Sequence, residues 1–375
     1  MSREPDAPEE PDRTLGAPHP RDTLRLFGQD SAEAGFLDAY ATGRLHHGWL
    51  ITGPRGVGKA TLAWRIARFL LATPPPDDGP SLFGDPLPPP DTLDIPADHP
   101  VSARIAARSE PGLHHITRSA HPKTGKMRDV ITVDDVRKLG DFLHMSATEG
   151  GRRVVIVDSA DELNPNAANA LLKMLEEPPK RTFLLLISHQ PARLLPTIKS
   201  RCRELRLSSL SAENMLAAME QAGAPITDDP QALAALAAGS VGDAMRLSTL
   251  GGLEIYAELV AILNSLPRLD RPRAIKLAEA AATRGATARL DLLLDLTDLA
   301  LARLARTGAT GQPLSPEAAP GEASTFARLA PDASHARAWA ALAQEISARA
   351  RHARAVNMDP AALVLDMLFA LRRAA

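Results

Sequence analysis

The sequence predicts an α/β domain with a parallel sheet, followed by a small helical unit and a longer all-α C-terminal region. Three observations carry this. Short, wholly apolar runs such as VVIVD and FLLLIS alternate with helical patterns up to about residue 207, as strands covered on both faces do. No comparable strand pattern follows Leu207. Only 3% of the 375 residues are aromatic while 45% are hydrophobic, a composition suited to closely packed helices.

The bulk numbers narrow the function. A length of 375 residues exceeds one ordinary core, so two or three domains are expected. A net charge of −2 gives no overall attraction to nucleic acid, and any such contact needs a local patch. The single cysteine, Cys202, excludes an internal disulfide and a cysteine-based zinc site. No charged leader with an apolar run and no stretch of about 18 apolar residues is present; the expected location is the cytoplasm.

Residues 1–22 are rich in proline and charge and are expected to form a disordered tail. Residues 30–43 read as a helix started by Asp30 or Ser31. HGWLITG (47–53) is a short buried strand entering a glycine-rich turn, and KATLAWRIARFLLA (59–72) is a helix with Leu62, Ile66, Phe69 and Leu70 on one side. Residues 74–100 hold ten prolines and six aspartates without lysine or arginine, the signature of a surface insertion. Short strands are expected at 114–118 and 129–133. Thr132 with Asp135 caps a helix whose Val133, Val136, Leu139 and Leu143 share a face.

RRVVIVDSADEL (152–163) reads as a strand ending in an acid, and NAANALLKMLEEPP (166–179) as a helix stopped by prolines. RTFLLLIS (181–188) is a strand, PARLLPTIKSRC a short helix with Pro191 in its first turn, and RELRL a last strand. Three helices over 210–250 suffice for a small bundle. Longer helices follow from Gly252, interrupted by a Pro/Gly/Ser loop at 307–325. The expected domains are therefore 23–207 with its insertion, 208–251 and 252–375.

GPRGVGKAT (53–61) between a strand and a helix nearly matches a phosphate-binding loop; the alternative is a glycine-rich turn with a solvated lysine. Gly53, Gly56 and Gly58 permit tight turns and close approach to phosphate, Val57 lies between them, and Lys59 supplies charge. The motif calls for a magnesium-ligating hydroxyl directly after the lysine. Ala60 stands there instead, and Thr61 follows about 100° further round the helix. Asp158, at the end of its strand, is either a water-mediated magnesium ligand or a turn cap. Ser188, ending the next strand, completes the candidate nucleotide set. Whether ATP or ADP still occupies the loop stays open on these residues; magnesium is expected to be poorly held.

FGQD (27–30), HGWLITGPRGVGKAT (47–61), VVIVDSADELNPNAANALLKMLEEPP (154–179), LLLISHQPARLLPTIKSRC (184–202) and NMDPAALVLDML (357–368) together resemble the clamp-loader branch of the AAA+ ATPases, and within it the delta-prime type. The resemblance implies an AAA+ domain, a helical lid over 208–251 and a collar over 252–375 that joins a pentameric ring. Its partners would be gamma/tau motor subunits, delta, the sliding clamp and primer–template DNA. It also implies that Arg201 of the SRC run (200–202) acts in trans as an arginine finger, in a component of a DNA polymerase holoenzyme. Three departures point away from a motor: Ala60, Ser159 in place of the water-activating glutamate, and Gly242 where motors carry a lid arginine. The expected role is a stator with weak or absent ATPase; the alternative is a gamma/tau-like ATP-hydrolysing motor. Many relatives carry a four-cysteine zinc module where 74–100 lies, so no zinc is expected.

Overall fold

The computed structural model describes residues 10–14, 16–43, 45–73, 90–144, 151–225, 229–283, 287–312 and 314–375. The chain divides into two compact units. The first comprises residues 1–222 with 239–242, and the second 223–238 with 243–375.

The first unit is built on five parallel strands: β1 (Gly48–Thr52), β2 (Leu113–Ile116), β3 (Arg153–Asp158), β4 (Thr182–Ser188) and β5 (Arg203–Arg206). Their order across the sheet is β2-β3-β4-β1-β5. Every residue of β1 and of β4 is buried, which is why neither alternates in sequence. On one face, Leu50, Ile116, Val155, Val157, Leu184 and Leu186 pack against α4 (Val133–His144) and α5 (Pro165–Glu176) through Val136, Leu139, Leu171 and Leu175. Trp49, Ile51, Ile156 and Leu185 alternate with these and turn to the other face. Phe36 of α1 (Asp30–Ala41) meets Trp49 there, and Phe69 of α2 (Lys59–Ala72) meets both Phe36 and Tyr40. Truncating a fully buried leucine such as Leu171 costs about 2–5 kcal/mol.

Helix α2 departs from the amphipathic reading. Trp64, Arg65 and Arg68 on its outer side are as buried as Leu62 and Ile66. Part of the cover comes from residues expected to be disordered. His19 and Arg21 are buried, Arg68 Nη2 donates to the Arg21 carbonyl at 2.6 Å, and Asp12 faces His19 Nε2 at 2.9 Å. The segment from residue 10 is thus held by paired polar groups rather than apolar area, so its composition concealed it. The part of the expected tail before residue 10 lies outside the described residues. Arg65 also donates to Glu33 and to Asp94, at 2.8 and 2.9 Å. Of the insertion, 74–89 lies outside the described residues; Leu93 is buried, and α3 (Pro100–Ala106) begins at the last proline.

Two further boundaries differ from expectation. Residues 129–133 contribute a single bridge, Ile131 to Leu163, because Thr132 turns the chain directly into α4. The Thr132 N–H and hydroxyl both donate to Asp135 Oδ2, at 3.0 and 2.7 Å. The stretch after Ser188 is broken: a 3-10 turn at Pro191–Arg193 precedes α6 (Pro196–Lys199). Helix α7 (Ala212–Gln221) closes this part of the unit, its N-terminus capped by Ser211, whose hydroxyl accepts from Asn214 N–H at 3.2 Å.

The remaining helices are α8 (Pro230–Ala237), α9 (Val241–Leu250), α10 (Gly252–Asn264), α11 (Arg271–Ala282), α12 (Thr287–Thr310), α13 (Glu322–Leu329), α14 (Ala333–Ala355) and α15 (Pro360–Ala374). Among the described residues no strand follows Arg206, and no single helix is long and apolar enough to cross a membrane. In the second unit α12 packs along α14, and the Trp339 indole donates to the Leu329 carbonyl at 2.9 Å. The expected 307–325 loop is shorter than anticipated. Helix α12 continues through Gly308, where an added Cβ would lie 2.8 Å from Ala330 Cβ and from its carbonyl oxygen. That glycine serves close packing rather than helix termination. Helix α13 then opens at Glu322, which is fully buried.

Candidate nucleotide loop and exposed arginine

The loop joining β1 to α2 takes the conformation its glycines permit. Gly53, Gly56 and Gly58 have φ of 144°, 70° and 98°, values that side chains resist. The neighbours leave no room either. A Cβ on Gly53 would lie 2.5 Å from the Leu207 carbonyl oxygen, on Gly56 2.2 Å from Ser240 Oγ, and on Gly58 2.5 Å from Leu26 Cδ1. Val57 is buried beneath the turn. The Gly242 N–H donates to the Gly56 carbonyl at 3.1 Å, and an added Cβ at 242 would sit 3.0 Å from Gly56 Cα. Gly242, singled out in the sequence, is thus in backbone contact with the loop.

Lys59 is buried and folded back: its ammonium donates to the Gly53 carbonyl at 2.8 Å and also to Pro54. Burial lowers its pKa to about 8, against the opposing pull of Asp158 and Asp161. Ala60 and Thr61 lie in the first turn of α2 and are half-buried. Asp158 ends β3, and burial, with the nearby Asp12 and Glu162, raises its pKa to about 7. Ser159 is buried. The acids beyond it are already engaged: Asp161 accepts from the His189 N–H at 2.9 Å, and Glu162 pairs with Arg118 at 3.0 Å. Ser188 pairs in register with Thr52, and its buried hydroxyl has no hydrogen-bond partner.

The loop, Asp158 and Ser188 therefore gather at the C-terminal ends of β1, β3 and β4. Arg201 does not join them. It precedes β5, so it lies at the opposite end of the parallel sheet, next to the start of β1: a Cβ on Gly48 would meet the Arg201 carbonyl oxygen at 3.0 Å. The five residues of β1 put roughly 15 Å of strand between the two. The Arg201 side chain is 37% exposed, with Nη2 at 2.9 Å from Glu176 Oε1 and Nη1 donating to the Thr197 carbonyl at 3.0 Å.

Sequence reasoning missed three residues near Asp158 and Lys59. His189 follows Ser188, and burial with the neighbouring Lys59 lowers its pKa to about 4. Asp12 and His115 approach Asp158 from the side, with one donor atom of each residue within 4.8 Å of the others. Nothing in a proline-rich tail or a two-histidine strand signals that meeting.

A family model described as DNA polymerase III, delta subunit, matches residues 91–211. The DNA polymerase III subunit delta' of Pseudomonas aeruginosa is 37% identical over 224 residues, 59% of this chain and 61% of that protein. The subunit delta' of Escherichia coli is 34% identical over 212 residues, 56% of each chain. Subunit tau of Escherichia coli is 27% identical over 277 residues, 70% of this chain and 38% of that protein. The chain thus spans about three-fifths of the length of the delta' relatives it matches.

Proposed function

We propose that this chain, a relative of the DNA polymerase III delta-prime subunits in the clamp-loader branch of the AAA+ ATPases, is a stator that lends Arg201 to a neighbour's ATP site. The observation that carries this reading is the placement of Arg201 at the end of the sheet remote from its own phosphate-type loop. From there it serves another subunit's nucleotide and not its own. A guanidinium stays charged and donates two parallel hydrogen bonds to phosphate oxygens. In the ring, its neighbour would be a gamma/tau motor, with delta, the sliding clamp and primer–template DNA as the remaining partners.

The chain's own loop is read as a scaffold. Ala60 offers magnesium no hydroxyl, Ser159 no base, and Gly242 no charge; together these remove metal ligation, water activation and phosphate sensing. Lys59, turned onto its own loop carbonyls, agrees with this. The motor alternative is also less supported by similarity, at 27% identity to tau against 34–37% to delta'.

The test reconstitutes the chain with motor subunits and measures DNA- and clamp-stimulated ATP hydrolysis. Arg201→Ala should assemble normally and lower turnover, since an arginine finger is worth about 10³–10⁵ in kcat at one site. Arg201→Lys should rescue poorly. Unchanged turnover would remove the assignment. Hydrolysis near 1 s⁻¹ by the isolated chain, typical of a competent enzyme, would favour the motor.

A further inference from the structure

We infer that Asp12, His115 and Asp158 form a divalent transition-metal site that fastens the N-terminal segment to the ends of β2 and β3. One oxygen or nitrogen from each of the three lies within 4.8 Å of the others. His115 Nε2 and Asp12 Oδ2 are 3.5 Å apart. Two ligands about 2.1 Å from a tetrahedral ion are separated by roughly that distance. Asp158 lies within 4.8 Å of both, and rotation of its carboxylate at the strand end brings it to the same ion.

The polar groups are underused as they stand. His115 Nε2 is buried without a hydrogen-bond partner, and Asp12 Oδ2 is met by two imidazoles, His19 Nε2 at 2.9 Å and His115 Nε2 at 3.5 Å. Buried polar atoms are ordinarily satisfied, and two carboxylates facing one another are not. A doubly charged cation resolves both problems at once. The His115 ring packs edge-on against Trp64, with centroids 5.0 Å apart, and its Nε2 faces Asp12. One imidazole and two carboxylates, with no thiolate, suit Zn²⁺ or Mn²⁺ better than Mg²⁺.

The surroundings are those of a supported site. His19 Nδ1 accepts from the Arg21 N–H at 3.0 Å, which leaves the proton on Nε2, facing Asp12 Oδ2 at 2.9 Å. Such an outer partner orients a ligating carboxylate. Asp12 and His115 also line a cavity of about 460 Å³, which supplies an entry path and room for water as a fourth ligand. The site shares Asp158 with the candidate nucleotide set but draws its other two ligands from Asp12 and His115, and makes no use of the loop hydroxyl whose place Ala60 takes.

A simpler structure, in which Asp12 is held by His19 alone, makes a different prediction. The full chain, stripped with chelator and dialysed against Zn²⁺ alone, should retain one zinc per chain by elemental analysis. Co²⁺ should give a visible absorption band at the same stoichiometry. Asp12→Asn and His115→Gln, chosen to keep shape and checked for folding by circular dichroism, should each weaken binding at least tenfold and abolish the Co²⁺ band. Three results overturn the inference: no stoichiometric metal, metal that survives both substitutions, or loss confined to Asp158→Asn. The last would place the ion on the loop side of Asp158. None of these readouts depends on ATP hydrolysis, so the stator proposal stands or falls separately.

Discussion

Arg201 and Glu176 form an ion pair, Nη2 to Oε1 at 2.9 Å, between the end of α5 and the corner before β5. Both side chains are around two-fifths exposed, so the pair is worth at most about 1 kcal/mol. Its consequence is orientation: Glu176 parks the guanidinium that the proposed neighbour must capture. Glu176→Gln should therefore leave thermal stability within about 4 °C of the parent. In the reconstituted assembly it should change the apparent affinity for ATP more than maximal turnover. Calorimetry and ATP titration check this, and a Glu176→Gln assembly as defective in turnover as Arg201→Ala would make Glu176 part of the finger rather than its rest.

Glu322 predicts where the second unit is weakest. It is fully buried and accepts from Arg303 Nε and Nη2 at 2.7 and 2.9 Å, from Tyr256 Oη at 2.6 Å and from Ala318 N–H at 2.6 Å. Glu322→Gln keeps the shape but leaves Arg303 as an uncompensated charge, costing about 3–5 kcal/mol. Burial alone would raise the Glu322 pKa, but the Arg303 guanidinium and the other donors hold it below its ordinary 4.5. Its stabilising contribution is therefore complete above about pH 4.5 and is lost as pH falls through the lower folded value. Urea unfolding from pH 7 to 3 should show the parent losing stability below about pH 4.5 and converging on Glu322→Gln. Parallel profiles would remove Glu322 as the cause.

Much of this was legible because short-range chemistry decided it. Lys59–Ala72 has its expected ends, since a glycine turn starts it and a proline run follows it. The strands β1, β3 and β4 lie within their apolar runs, whose lack of alternation marks two covered faces. The failures share a cause: long-range pairing overrode local pattern. Asp12, His19 and Arg21 look like solvated tail residues until Trp64, Arg68 and His115 are brought beside them by α2 and β2. Gly308 looks like a stop until Ala330 returns against it. Within the candidate site, the loop residues, Asp158 and Ser188 were visible as motif positions. The contact between Gly242 and Gly56 belongs to the fold and has no sequence signature.

Lys59 should make stability pH-dependent on the alkaline side. Its folded pKa, lowered by burial to about 8, lies below the unfolded 10.5. Between those values the unfolded chain binds the extra proton, so this group makes stability rise with pH from about 8 to 10.5 and contributes no slope below that window. The expected rise is about 3 kcal/mol. Lys59→Met lacks it, so the parent's unfolding free energy should rise relative to the variant's across that window. Denaturation at pH 7.5, 9 and 10.5 measures it; a constant difference would mean that Lys59 is better solvated than its 3% exposure implies.

Restoring motor-type residues at positions 60 and 242 should fail, and Gly242 shows why. Ala60→Ser returns a hydroxyl to the first turn of α2, but Asp161 remains committed to the His189 N–H and Glu162 to Arg118. No base is thereby positioned for water. Gly242→Arg then has to place a Cβ 3.0 Å from Gly56 Cα, beside a backbone hydrogen bond that closes the loop. Gly56 Cα is backbone and not a flexible side-chain end, so the loop must shift by a few tenths of an ångström, at a cost of about 1–3 kcal/mol for an overpacked site. The Ala60→Ser, Gly242→Arg double variant should accordingly melt below the parent and show no turnover above background. Calorimetry and a phosphate-release assay on the isolated chain decide it. Turnover above background at unchanged stability would mean that Gly242 yields easily and that the loop is a dormant engine rather than a scaffold.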